Sequence, residues 1–222
     1  MMTLTSLEVI RQMFLIPPSS QPYDLMMDRE DYRAGVYNSY TVLEPSFGLI
    51  KDLLLKVLGN IQDGFFVEAG AIDGEFLSNT LALERTLGWN GLLIEADGDT
   101  FQKLQNRHRK AWASHCCLAT HSYPHQEVFV KYIANSDSHF AKNMFERGHG
   151  VLKSVESKSP MRITGSYPDQ SVPSYEVVQC LPLASLLLAL NVTRVHFVSL
   201  DVEGAEEAIL NSFPWGSITV DV

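Results

Sequence analysis

Three acids and two glycines in this 222-residue chain have the types and the spacing to do chemistry. Phe65 to Gly74 reads F-F-V-E-A-G-A-I-D-G, which sets Glu68 directly before Gly70 and Gly74. A glycine at these turns lets backbone approach a ligand without a Cβ in the way. Glu95 follows Glu68 by 95 − 68 = 27 residues. A carboxylate there can accept hydrogen bonds from both hydroxyls of an unphosphorylated ribose, a role usually filled roughly 20 residues past the glycine turn. Asp201 opens a second acidic stretch, D-V-E-G-A-E-E, which carries Glu203, Glu206 and Glu207 around Gly204.

The same residues narrow the ligand. A pyrophosphate bound at a helix N-terminus would meet Glu68 at close quarters, and E-A-G-A-I-D-G departs from the G-x-G-x-x-G of dinucleotide sites. An acid before G-x-x-x-G suits a ligand with an amino acid and an adenosine but no phosphate, which describes S-adenosylmethionine. Asp201 with Glu203 offers oxygen ligands to Mg²⁺, but no third ligand is evident and no metal is expected. His139 and His149 lie in a loop and are expected to be solvated rather than to act as bases.

These groups need a sheet to hold them. Phe65-Phe66-Val67, Leu92-Leu93-Ile94 and Val195 to Leu200 are short apolar runs suited to strands buried on both faces. Glu68, Glu95 and Asp201 would then stand at the carboxyl ends of parallel strands, where such sheets bind ligands. A helix is expected from just after Gly74 to a stop at Gly88, and another after Asp97, ending in Arg107, Arg109 and Lys110 as a solvated basic turn. Trp112 to Leu118, Gln126 to Ile133, Tyr175 to Cys180 and Ile218 to Val222 read as further strands, and Leu183 to Leu190 as a helix. Residues 1–60 form an N-terminal arm: a helix stopping before Pro17-Pro18, an extended linker, and an amphipathic helix from Phe47 to Leu58. Residues 61–222 form the main domain. Asn135 to Ser174 has little periodicity and reads as a lid or a mobile segment.

Composition places limits on partners. The chain is 45% hydrophobic and 19% charged, with a formal net charge of −9, which suits one core and argues against a nucleic-acid partner. Three cysteines make no disulfide framework and are expected as buried or free thiols. Leu181 to Leu190 is too short to span a bilayer. Met1 to Phe14, with Glu8 and Arg11, is a poor signal peptide, so the chain as given is expected to be soluble and cytoplasmic. Asn191-Val192-Thr193 is a glycosylation sequon, a triplet frequent enough by chance to say little about compartment.

Taken together, V-E-A-G-A-I-D-G (67–74), L-I-E-A-D (93–97) and S-L-D-V-E-G-A-E (199–206) resemble the FkbM-type methyltransferase domain. That resemblance implies an α/β, Rossmann-like class I methyltransferase fold with a mostly parallel sheet, truncated here after the fifth strand. It implies S-adenosylmethionine as cofactor and O-methyl transfer to a small-molecule, glycan or protein hydroxyl. The cofactor would lie across Gly70 and Gly74, with Glu68 near the methionine amino group and Glu95 on the ribose. Asp97 is expected on the adenine or ribose side, Asn79 at the cofactor carboxylate, and Asp201 orienting or deprotonating the acceptor hydroxyl. Ser199 departs from the lysine that many such enzymes carry. P-P-S-S-Q-P-Y (17–23), S-N-T-L-A-L-E-R (78–85) and G-W-N-G-L-L-I-E-A-D (88–97) are also similar to the Star and Star-like family. This second resemblance implies a catalytically silent trafficking protein with a membrane-protein cargo. Such a protein would move epidermal-growth-factor-receptor ligands through the endoplasmic reticulum, Golgi and endosomes, and its membrane anchor would lie outside this chain.

Overall fold

Alternation along Phe65–Ala69 (β1) decides the layering, because successive strand residues face opposite sides of a sheet. Phe66 turns to one face with Leu93, Ala113 and Phe197, and Leu83, Phe101 and Leu104 cover it. Val67 turns to the other with Leu92 and Ile94, under Ile10, Leu186, Leu187 and Ile209. The covering residues belong to helices α1 (Leu4–Phe14), α2 (Leu81–Leu87), α3 (Gly98–Asn106), α4 (Leu183–Ala189) and α5 (Glu206–Ser212). A sheet buried on both faces needs near-continuous apolar runs, as β1 and its neighbours have up to the polar residues near their carboxyl ends. The computed structural model describes residues 4–28, 53–54, 56–59, 61–133, 150–158 and 172–222. His139, His149 and most of the aperiodic 135–174 segment lie outside them. So does part of the helix expected from Phe47 to Leu58, of which 53–54 and 56–58 are helical.

The central sheet is parallel, in the order β3-β2-β1-β9. Its members are β2 (Asn90–Glu95), β3 (Trp112–His115) and β9 (Phe197–Leu200) around β1. Glu68 pairs with Leu93 on one side and Ser199 on the other. The strand expected over Val195 to Leu200 is interrupted at His196, leaving β8 (Arg194–Val195) before β9. The interruption has a bond of its own, since the Phe65 amide donates to His196 Nδ1 at 2.9 Å. β10 (Thr219–Val220) runs parallel to β8, and Val198 donates to the Val222 carbonyl. The chain thus builds outward from β1 to β3 and returns to the far side of β1. That reversal opens a crevice above β1, at the strands' carboxyl ends.

A second sheet joins this one through the third strand. The run expected from Trp112 to Leu118 breaks at Cys116, and Cys117–Leu118 (β4) turns away to pair with β7 (Val172–Leu181). The order is β4-β7-β5-β6, with β5 (His125–Ile133) antiparallel to both β7 and β6 (Gly150–Leu152). Val130, Val178 and Leu181 from this sheet enter the same core as Val67 and Leu92. The expectation of unpaired thiols is corrected here, because Cys117 and Cys180 form a disulfide. They stand at paired positions of β4 and β7, a juxtaposition created by pairing across 63 residues of chain. Cys116 is the free cysteine, buried beside Ser114, and burial pushes its thiol up to about 12.

The N-terminal segment packs onto the main domain. α1 ends before Pro17 and lies against α4. Residues after it run along β3: Ile16 and Ala113 exchange both backbone hydrogen bonds, at 2.8 and 3.0 Å. Ser19 and Asp24 then donate to the Arg109 and Arg107 carbonyls. No helix among the described residues is long and apolar enough to cross a membrane.

Candidate functional site

Backbone geometry shapes the crevice first. Between β1 and α2 the chain enters the left-handed region at Gly70 (φ 80°), Ile72 (51°), Gly74 (76°) and Leu77 (55°). Glu203 (57°) and Gly204 (110°) do so after β9. For a β-branched residue such as Ile72 this is a strained conformation, of the kind that concentrates at functional sites. Gly70 has no alternative: a Cβ there would stand 2.0 Å from the Asp201 carbonyl oxygen. The β1 and β9 ends therefore meet backbone to backbone.

The helix expected directly after Gly74 begins instead at Leu81. Its would-be first turns spend their amides on acid side chains. Asp73 Oδ1 accepts from the Glu75 and Phe76 amides at 3.1 and 2.7 Å. Glu68 accepts from the Asn79 amide at 2.6 Å and from the Ser78 and Thr80 hydroxyls at 2.8 and 2.6 Å. Side-chain acceptors compete with the helix ladder in this way. Glu68 is 3% exposed. Burial raises its pKa, while the nearby Arg109 and the three donors favour its charged form.

The expected solvated turn of Arg107 and Arg109 is also corrected. α3 stops at Asn106, and a left-handed His108 (φ 54°) folds both arginines back beneath the 70s loop. Arg107 pairs with Asp73 at 2.9 Å and Glu75 at 3.2 Å. Arg109, 3% exposed, pairs with Glu84 at 3.0 Å and donates to the Gly74 carbonyl and the Thr80 hydroxyl. One guanidinium thus fastens both ends of the 74–84 segment.

Glu95 ends β2 inside the crevice. Its Oε2 accepts from the Ile72 amide at 2.7 Å and its Oε1 from the Asp97 amide at 2.8 Å. Each oxygen keeps a lone pair beyond its amide, and the Thr100 hydroxyl also lies close enough to donate to the carboxylate. Burial pushes its carboxyl up to about 7, although both amides and the Thr100 hydroxyl favour the charged form. Asp97 caps α3 by accepting from the Thr100 amide at 2.8 Å. Its other oxygen is 2.6 Å from Lys131 Nζ. Burial works against the Lys131 charge, yet Asp97 and Asp99 outweigh it and hold the ammonium above the ordinary lysine value.

Four of the seven predicted site residues share one cavity of about 130 Å³: Gly70, Glu95, Asp97 and Asp201. Glu68, Gly74 and Asn79 do not line it. They sit behind the loop, where Asn79 Nδ2 donates to Ser199 Oγ at 2.9 Å and ties the loop to β9. Sequence reasoning missed the cavity's opposite wall, Phe129 and Lys131 of β5 with Leu152 of β6. The alternation of β5 is legible in the sequence, with Val128, Val130 and Tyr132 on one side of the strand. Phe129 and Lys131 are the other set, facing the cavity because a second sheet folds over the first. Phe76, Ile72 and Leu77 of the glycine loop and Ile94, Leu118 and Ile209 add to the apolar lining. Among the described residues no group of three His, Cys, Asp or Glu side chains could hold a metal ion.

The crevice thus joins a buried acid at the end of β2, an apolar slot, and an acid just past β9, with β1 lying between those two strands. A family model for the methyltransferase FkbM domain matches residues 68–222. No curated protein and no solved structure matches the chain.

Proposed function

The chain belongs to the FkbM methyltransferase domain family, and from that premise we propose that it binds S-adenosylmethionine and methylates a hydroxyl group. The observation carrying the reading is Glu95, buried in the crevice with both carboxylate oxygens fixed by backbone amides and still able to accept. In this reading the parallel sheet is the Rossmann-like core of a class I fold. The residues present fit the cofactor. Glu95 takes the ribose hydroxyls, the aromatic and aliphatic walls at Phe76, Ile72 and Phe129 suit adenine, and Asp97, Asp201 and Glu203 offer an acidic setting for a sulfonium. When bound, the cofactor supplies an activated methyl group on a positively charged sulfur.

Asp201, exposed at the end of β9, orients the acceptor hydroxyl and takes its proton. Much of the rate would come from holding the acceptor in line, which is proximity rather than acid–base strength. Glu68, Gly74 and Asn79 act through the loop they fasten, and Glu68 is too committed to Ser78, Asn79 and Thr80 to meet the methionine amino group directly. Titration calorimetry with S-adenosylmethionine and with its demethylated product tests this. A single site is expected, weakened at least about tenfold in Glu95→Gln, since hydrogen bonds to a charged group are worth about 1.5–3 kcal/mol. A folded protein that binds neither compound overturns the reading.

The Star-like cargo-binding reading is our second proposal. It predicts a melting temperature indifferent to the cofactor product, whereas a binding domain is stabilised in proportion to ln(1 + [L]/Kd).

A further inference from the structure

Two features, one at the turn between α4 and β8 and one in the wall of the crevice, point to the same chemical environment. The first is Asn191-Val192-Thr193, the chain's one N-x-S/T triplet. It forms the turn between α4 and β8. Asn191 is left-handed (φ 58°) and closes the helix, its amide donating to Leu188 and that of Val192 to Leu187. Asn191 and Thr193 are exposed, while Val192 packs against the core. The fold thus presents both residues an oligosaccharyl transferase must read, and buries the one it need not.

The second feature is the Cys117–Cys180 disulfide, with Cys116 buried. Disulfides persist in oxidising compartments and are rare where thiols are kept reduced. Neither feature decides alone: a lone triplet arises by chance, and a disulfide says nothing about sugars. Together they ask for one place, a lumen that oxidises cysteines and glycosylates asparagines.

We propose that Asn191 carries an N-linked glycan and that this domain works in an oxidising, secretory-type lumen. In the transfer, Asn191 Nδ2 bonds to the reducing-end carbon of an oligosaccharide on a lipid diphosphate, the lipid diphosphate leaves, and the amide loses one proton. Position supports the assignment. Thr193 immediately precedes β8, so the sugar leaves from the amino ends of the parallel strands. The crevice lies at their carboxyl ends, and the glycan leaves it open. The proposal does not depend on methyl transfer.

Protein taken from its natural source, probed with an antibody to this chain, is expected to lose apparent mass on treatment with peptide-N-glycosidase. Unchanged mass overturns the proposal. In animal cells, with the chain directed into the secretory pathway, Asn191→Gln and Thr193→Ala are expected to abolish the shift and Thr193→Ser to keep it. Thr193→Ala leaves the left-handed asparagine in place, so it separates loss of sugar from loss of fold. A shift that survives both variants overturns the assignment to Asn191. Alkylation of the denatured natural protein without reductant is expected to label one cysteine, and all three after reduction. Three labelled cysteines without reductant overturn the compartment.

Discussion

Glu95 couples folding and binding to pH with opposite signs. Its carboxyl sits at about 7 in the folded chain against an ordinary value of 4.5. A raised folded value stabilises the fold below the unfolded value, and that contribution is lost as pH climbs through the folded one. Stability is therefore expected to fall between about pH 4.5 and about pH 7, by about 3 kcal/mol from this group. Denaturant unfolding across that range should show the slope in the native chain and a flatter line in Glu95→Gln. Glu68 is shifted in the same direction by its own burial, so the difference between the two proteins, not the absolute slope, isolates Glu95. Under the proposed function, cofactor affinity is expected to run the other way, strengthening as pH rises through about 7, because ribose hydroxyls would donate to the ionised form. Glu95 was legible because its chemistry is local: an acid at the end of an apolar run, one strand after a glycine turn. Lys131 was not. Its place beside Asp97 depends on the register of a strand in another sheet, which no local pattern encodes.

Elements here are set by side chains that replace expected backbone bonds. α2 starts late because Glu68 and Asp73 take the amides that would have opened it, and Arg109 then clamps the freed segment. Replacing Arg109 with alanine leaves the buried Glu84 carboxylate without its counter-ion, though still bonded to the Tyr23 hydroxyl and the Lys110 amide, a change that typically costs about 3–5 kcal/mol. Calorimetry should show that loss, and Arg109→Lys, which keeps the charge without the forked bonds, should recover only part of it. A basic run after a helix is ordinarily a solvated terminus, so only the left-handed His108, invisible in the sequence, distinguishes this case. The disulfide is a comparable device between β4 and β7. Closing about 63 residues of chain removes about 4 kcal/mol of unfolded-state entropy on a chain-entropy estimate. Reducing agent should lower the melting temperature, and Cys180→Ser should match the reduced protein. Cysteine spacing could not announce the pair, since adjacent Cys116 and Cys117 compete for one partner and only strand pairing chooses between them.

At the scale of the whole molecule, the layered parallel sheet was legible from buried runs and their terminal acids, and the strand-end location of the site came with it. The folding of a second sheet over the crevice was not, because β5 and β7 pair across a long stretch of chain. Nor was the fate of residues 15–24, where Leu15 and Ile16 are followed mainly by prolines and polar groups with no periodicity. Those residues occupy the backbone of Ala113, Arg109 and Arg107 on the outer side of β3. A parallel strand left bare along that side is a template onto which another copy can add. Replacing Ile16 with proline, which removes the amide donated to Ala113 and leaves α1 in place, is expected to free that edge and raise self-association with concentration, visible as growth in light scattering at an otherwise native circular dichroism spectrum. The short ribbon beside β3 thus fills bonding positions that a strand from a second copy would otherwise find open.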